Sequence, residues 1–219
     1  MESTNFKIVK TYSLEEKSYR NKEFKEEEFR GLFRDYFGGN IYQRRELIEK
    51  YGSIGSLILC SSCIDLSNLA PKTYDCTSSN EETTLNFNEP INWNLNDVEK
   101  CRYTFAGMTE YNQKMTHLDV GKVKDMDSMF LNCNKLDESI IFNSSSLRNC
   151  KRMFMCCTSF NSHIDINFNN VNNSREMFMN CTNFNINTSV FNTSTLVDSS
   201  RMFMNCTNFN QSINWLDKS

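Results

Sequence analysis

Ten cysteines are the residues of this chain best suited to chemistry, and their spacing divides them into unlike sets. Cys60-Ser-Ser-Cys63 places two residues between thiols, with Cys76 further on. That spacing lets one tetrahedral zinc take both thiolates. A fourth ligand is missing, because Cys101 falls on a periodic apolar position and no histidine lies near. Cys60, Cys63 and Cys76 are thus the metal candidate of the chain, and the expectation is that no metal or cofactor is bound. A thioredoxin-like role would need a surrounding βαβ pattern, which this stretch lacks.

Cys133, Cys157, Cys181 and Cys206 recur 24 or 25 residues apart. A nucleophile needs an activating base and partial exposure, and neither a histidine nor a carboxylate recurs beside this column. Cysteine is also a good small buried hydrophobe, so the column reads as core. Only two histidines exist, His117 and His163, and they fall in different repeats. No Ser/His/Asp or Cys/His grouping is visible. Gly38-Gly39 reads as a helix stop rather than a phosphate loop. The carboxylate pairs Asp125/Asp127 and Asp137/Glu138 stand at non-periodic positions, expected to be exposed. The chain is therefore read as a non-enzyme with no catalytic residue.

The elements that position these residues are repeats. The phrase MFMNCTNFN occupies residues 177–185 and again 202–210. Its Phe belongs to the series Phe105, Phe130, Phe154, Phe178 and Phe203, spaced 24 or 25 residues apart. Three residues after each of these anchors come Met108, Cys133, Cys157, Cys181 and Cys206. Six residues after come Tyr111, Leu136, Phe160, Phe184 and Phe209, each followed by Asn or, once, Asp137. Four residues before the anchor stand Cys101, Met126, Cys150, Ser174 and Ser199; seven before, an aliphatic every time (Val98, Val123, Leu147, Val171, Leu196). Phe87-Asn88 with Ile91 and Trp93 matches Phe209-Asn210 with Ile213 and Trp215, which makes both tryptophans core residues of equivalent strands.

A fixed period in the twenties marks units that cannot bury their apolar faces alone and must stack. Apolar residues three or four apart around each anchor predict one or two helical turns. Alternation at Ile140/Phe142, Ile164/Ile166 and Ile213/Trp215 predicts a short strand with one face inward. Glycine and proline are scarce at 7 and 2, so asparagine is expected to turn the corners, since its amide tolerates left-handed backbone. The expected fold is an α/β repeat solenoid with short parallel strands stacked coil on coil behind an N-terminal helical cap. Its structural ladder comprises the Phe anchors, the Cys column and Phe160, Phe184 and Phe209.

The first part of the chain differs in composition: 21 charged residues fall in the first 50, 11 basic and 10 acidic. The run Lys25-Glu26-Glu27-Glu28 reads as a solvated face. Ser13 to Glu16 reads as a capping box, and Phe29, Leu32, Phe33, Tyr36 and Phe37 form a stripe ended by Gly38-Gly39. Asn40 to Gln43 suggests a second cap, with Leu47, Ile48 and Tyr51 inward and Gly52 as the stop. Three regions follow: a helical cap at 1–55, a degenerate first coil with a polar loop at 56–84, and the repeats at 85–219.

The pattern M-F-x-x-C-x-x-F-N-x-x-I-x-W, with a V-x-x-M step into the next M-F, resembles the BspA-like repeats of bacterial surface and mycoplasmal proteins. The matching residues run from about Phe87 to Ser219, and Ile48-Glu-Lys-Tyr-Gly-Ser-Ile54 resembles the leader that precedes such arrays. The resemblance implies a leucine-rich-repeat-like solenoid and a role in surface binding.

A net charge of −3 supplies no basic field for nucleic acid. No stretch reaches the ~18 apolar residues of a membrane span. The opening residues lack the apolar core of a signal peptide, so an intracellular location with reduced thiols is expected. The expected function is a protein-interaction scaffold acting through exposed non-periodic residues, with an unidentified protein as partner. The open C-terminal coil is expected to be either guarded by Asp217 and Lys218 or buried against a partner, with self-association through a second copy as one form of this. The alternatives are an adhesin-like binder of carbohydrate or host surfaces, and a small zinc module at Cys60, Cys63 and Cys76.

Overall fold

The computed structural model describes residues 22–69, 86–189, 191 and 193–213. Its regular elements are β1 (Glu23–Phe24), α1 (Glu26–Gly38), α2 (Ile41–Tyr51), a 3-10 turn (Ile54–Ser56), β2 (Ile58–Leu59), β3 (Ile140–Phe142) and β4 (Ile164–Ile166). Pairing is parallel in both cases, β1 with β2 and β3 with β4, and Ile140, Ile141 and Phe142 stand opposite Ile164, Asp165 and Ile166. The remaining order comes from hydrogen bonds between equivalent positions of successive repeats.

Those bonds follow an alternating rule. The backbone N–H groups of Cys101, Tyr103, Phe105 and Gly107 donate to the carbonyls of Asp125, Asp127, Met129 and Leu131 in the next repeat, at 2.7–3.0 Å. The same four offsets recur from each repeat to the next as far as Asn180 donating to Met204. The intervening N–H groups turn back three residues instead: Met129 to Met126, Leu131 to Ser128 and Cys133 to Phe130. Isolated parallel bridges mark the start of this segment at Asp65, Lys100, Asp125, Asn149, Asn173 and Asp198, each bridged to the next.

This arrangement replaces the helical turns expected at the anchors. Among the described residues the anchor segments are runs of tight turns, with left-handed backbone two residues before each anchor and two after. The residues before are Tyr103, Ser128, Arg152, Glu176 and Arg201; those after are Gly107, Asn132, Cys156, Asn180 and Asn205. Successive i→i+3 turns give the same three-residue apolar spacing as a helix, so periodicity alone cannot separate them. An α-helix would direct its interior N–H groups along its own axis. Here alternate N–H groups reach the neighbouring repeat. Asparagine and glycine suit the positive φ after the anchor, whereas residue type does not explain the left-handed Arg and Glu before it.

The interior is an aromatic stack. Trp93, Phe105, Phe130, Phe154, Phe178 and Phe203 follow one another at 5.4–5.8 Å between ring centroids, nearly parallel, with tilts of 1–13°. Tyr111, Phe160, Phe184 and Phe209 lie beside their own anchors at 4.2–5.0 Å. Burial of each such ring contributes about 1.5–3 kcal/mol, repeated along the column. Strand pairing at the position expected for it occurs, among the described residues, only in β3 and β4. The equivalent stretch at Met115–Leu118 includes a turn, where the His117 Nε2 lies 2.6 Å from the Ile91 carbonyl.

At the amino-terminal edge, α1 buries Phe29, Phe33 and Tyr36. Phe29 and Phe33 pack edge-on against Trp93, while Leu32 and Phe37 are half-buried. The Glu28 carboxylate accepts the Lys25 N–H at 3.2 Å and opens the helix. It closes where the Gly39 N–H reaches the Asp35 carbonyl; a Cβ on Gly39 would lie 2.6 Å from that oxygen. The Asn40 side chain accepts the N–H groups of Tyr42 and Gln43 and starts α2, and Gly52 at φ 86 ends it. Ile48 departs from expectation: it is 37% exposed, with Leu47 and Tyr51 half-buried. Neighbouring helix positions lie about 100° apart, and α2 rests on α1 through the Leu47–Tyr51 side. The proposed box at Ser13 to Glu16, the loop at 72–84, Trp215, Asp217 and Lys218 lie outside the described residues.

Candidate functional site

Cys60 and Cys63 are built by a corner that recurs through the chain. The Cys63 N–H donates to the Cys60 carbonyl at 3.0 Å, as Val98 does to Leu95, Val123 to Val120 and Leu147 to Ser144. Cys63 therefore occupies the position equivalent to Val98, Val123 and Leu147 and is buried. Its partner is half-buried at the surface of the turn. The two Sγ atoms are 3.5 Å apart, with the Ser62 Oγ 2.9 Å from the Cys60 sulfur and the Phe24 carbonyl 3.3 Å from that of Cys63. The hydrogen bond from Ser62 lowers the Cys60 thiol below its ordinary range. Burial, then the bond to Cys60, pushes Cys63 up to about 12. Cys76 lies outside the described residues, and among those described no three His, Cys, Asp or Glu side chains are grouped to hold a metal. Among the described residues a zinc would find two thiols here.

The periodic cysteines have a defined task. Each donates its S–H to the anchor carbonyl of the preceding repeat: Cys133 to Phe105 and Cys157 to Phe130 at 3.1 Å, Cys181 to Phe154 and Cys206 to Phe178 at 2.9 Å. Burial raises all four thiols, Cys206 to about 11 and Cys157 and Cys181 far above the ordinary range. A thiol held protonated is a poor nucleophile. Cysteine suits the position because it is apolar enough to bury and still donates one weak bond. Cys156, absent from the periodic set, is also buried, with the Asn180 amide 3.4 Å from its sulfur.

The asparagine after each second aromatic does more than turn a corner. The Asn112 N–H donates to the Asn88 Oδ1, Asp137 to Asn112, Asn161 to Asp137, Asn185 to Asn161 and Asn210 to Asn185, at 2.8–2.9 Å. This is one continuous side-chain ladder across the repeats. Only an acceptor is required, which explains why Asp137 can interrupt the asparagines. A second recurrent use of Asp and Asn is local, at the bridge positions. There the side chains of Asp65, Asp125, Asn149, Asn173 and Asp198 each accept the N–H two residues on, at 2.8–3.1 Å. The recurrence of Asp125, Asn149, Asn173 and Asp198 at the bridge position is itself visible in the spacing of the sequence.

These bonds correct the placing of Asp125 and Asp127: Asp125 is periodic and half-buried, and Asp127 is buried. Asp137 is exposed as expected, but it holds a periodic place in the amide ladder, and Glu138 is half-buried. Arg102 lies 3.7 Å from Asp125 and 3.5 Å from Asp127. Further along, Glu176 is 6% exposed and meets Arg152 at 2.7 Å, Arg175 at 3.2 Å and Arg201 at 3.6 Å. Burial would raise its carboxyl, but the Arg152 bond and the surrounding guanidinium charges outweigh it and hold the group below the usual range. The pairing belongs to the wall of the repeats. His163 is exposed, and His117 bonds to backbone. Trp93 is buried with its indole N–H on the Ile54 carbonyl at 3.1 Å.

Comparison with known proteins adds a family. The model described as "Mycoplasma protein of unknown function, DUF285" matches residues 75–174 and, overlapping them, 140–219. No curated protein and no solved structure matches. Together the two matches take in the anchors, the cysteine column and the amide ladder, and this chain belongs to the DUF285 family, a mycoplasmal repeat family.

Proposed function

We propose that the chain is a non-enzymatic scaffold, a leucine-rich-repeat-like solenoid of the BspA-like branch, that binds a protein partner through exposed non-periodic residues. The observation that carries this reading is the internal use of the periodic side chains. Phenylalanines stack on phenylalanines, the cysteine S–H groups serve anchor carbonyls, and the asparagines serve the next N–H. Recognition then falls to residues that differ between repeats. Val197, at 88% exposure, is an outward-facing apolar side chain of the last described repeat and stands where other repeats carry Lys124, Arg148 and Asn172. It is the proposed contact, either with a different protein or with a second copy.

The test is a pull-down from native lysate with three baits: the intact chain, the surface variant Val197→Asp, and the core variant Phe154→Asp. Light scattering of the free chain accompanies it. A partner, or a dimer, present for the intact chain and lost in the surface variant with its circular dichroism unchanged supports the reading. Retention of the same material by the core variant, or equal behaviour of the intact and surface-changed chains, overturns it.

A further inference from the structure

We infer that Cys60 and Cys63 form a reversible thiol–disulfide switch, with glutathione disulfide or another low-molecular-weight disulfide as oxidant. The inference goes beyond the scaffold reading and stands on the geometry of one turn. Two sulfurs 3.5 Å apart need to approach by about 1.5 Å to reach disulfide bonding distance. The turn that brings them together is already closed by the Cys63 N–H on the Cys60 carbonyl. The sulfurs also differ in the way such a pair requires: Cys60 is half-buried beside a hydroxyl, and Cys63 is buried behind it.

The step balances as follows. The Cys60 thiolate attacks one sulfur of the glutathione disulfide, whose S–S bond breaks. One glutathione leaves as thiolate and takes a proton. Cys63 then gives its proton to solvent and attacks the Cys60 sulfur, expelling the second glutathione. The chain loses two electrons and two protons, and the oxidant becomes two thiols. Lowering of the Cys60 thiol by Ser62 and raising of Cys63 by burial suit the roles of attacking and resolving sulfur. Closure has a structural readout, since the S–H that Cys63 donates to the Phe24 carbonyl at the end of β1 is lost. The periodic cysteines are buried with raised thiols and do not compete.

Two measurements on the full chain test this. In the reduced protein, a pulse of N-ethylmaleimide followed by peptide mass mapping should label Cys60 at least about tenfold faster than Cys63 or any periodic cysteine. After incubation with excess glutathione disulfide, the peptide containing residues 60–63 should carry an internal disulfide, with two glutathiones released per chain. Cys63→Ser should instead retain one glutathione on Cys60, and Cys60→Ser should retain none in that peptide. Glutathione kept on wild-type Cys60, a disulfide from Cys60 to Cys76 or to any other cysteine, or labelling of Cys60 no faster than the buried cysteines would overturn the proposal. The labelling comparison uses the wild-type chain alone, so a misfolded variant leaves it decisive.

Discussion

Between repeats, the carbonyls five and three residues before an anchor accept backbone N–H groups from the repeat before them. At the amino-terminal edge the same two carbonyls belong to Asp65 and Ser67, and Arg30 of α1 takes the place of a preceding repeat. Its Nη2 donates to Asp65 and its Nη1 to Ser67, both at 2.5 Å. The acceptor side is imitated as well. The N–H of Asp125 shares the Glu99 carbonyl of the repeat before, and the N–H of Asp65 finds the Glu26 carboxylate at 3.2 Å. Glu26 and Arg30 are themselves paired one helical turn apart at 3.4 Å. A two-residue side-chain motif thus reproduces the donor and acceptor pattern of a strand edge. An edge left with open groups invites pairing with other chains, and this one is closed by charge-assisted bonds.

The largest expected effect tests the interior half of that comparison. Phe154→Ala should lower stability by about 3–5 kcal/mol in urea unfolding, because the ring is in the middle of the stack. Removal of Phe203, which is only half-buried, should cost less. Equal losses at both positions would break the picture of a column in which the contribution of each ring follows its burial.

Next is the edge itself. Arg30→Ala should cost about 1.5–3 kcal/mol, the range for hydrogen bonds to charged groups. Arg30→Lys should recover little, since one ammonium lacks the planar fork that spans two carbonyls. Hydrogen exchange should show protection lost first around Asp65 to Asn68. A full rescue by lysine would mean that charge, rather than the two directed bonds, closes the edge.

The charged wall should give a smaller, pH-dependent effect. Glu176 has a folded-state carboxyl held below its unfolded value. Its contribution is therefore present above the ordinary glutamate range near pH ~4.3 and is lost as pH falls through the lower folded value. Comparing unfolding at pH 7 and pH 3, Glu176→Gln should be less stable than wild type at neutral pH, and the gap should narrow in acid. A gap independent of pH would assign the residue a packing role alone.

Smallest is the amide ladder. Asn161→Ala removes the acceptor for the Asn185 N–H and should cost about 0.5–1.5 kcal/mol. Asn161→Asp keeps that acceptor, as Asp137 already does one repeat earlier, and should cost less than alanine. If the two substitutions were equally damaging, the donor side of the amide would matter and the ladder would need another account.

Much of this was legible in the sequence because each repeat imposes the same burial on the same offset. The anchors, the cysteine column, the α1 stripe and the Asn40 cap can all be read from spacing. The anchor turns could not, because i→i+3 turns and a helix share one apolar period and differ only in where alternate N–H groups point. The Cys60–Cys63 spacing is readable in the sequence as a pair of thiols near each other, but that the pair forms a corner turn with one sulfur buried is set by the fold. Cys76, the third residue of the metal candidate, lies outside the described residues.

By itself, the sequence determined which side chains are core and how far apart equivalent positions fall, since burial of apolar surface acts on residue type and period. It also determined membership of a repeat family, through the same recurrence. Only the tertiary structure decided the partners of the polar groups. A hydrogen bond depends on direction as well as distance, and its two ends here lie about one repeat apart in the chain. Arg30 closing an edge 35 and 37 residues away, and Asn161 serving the next repeat rather than its own corner, are set by how the chain stacks.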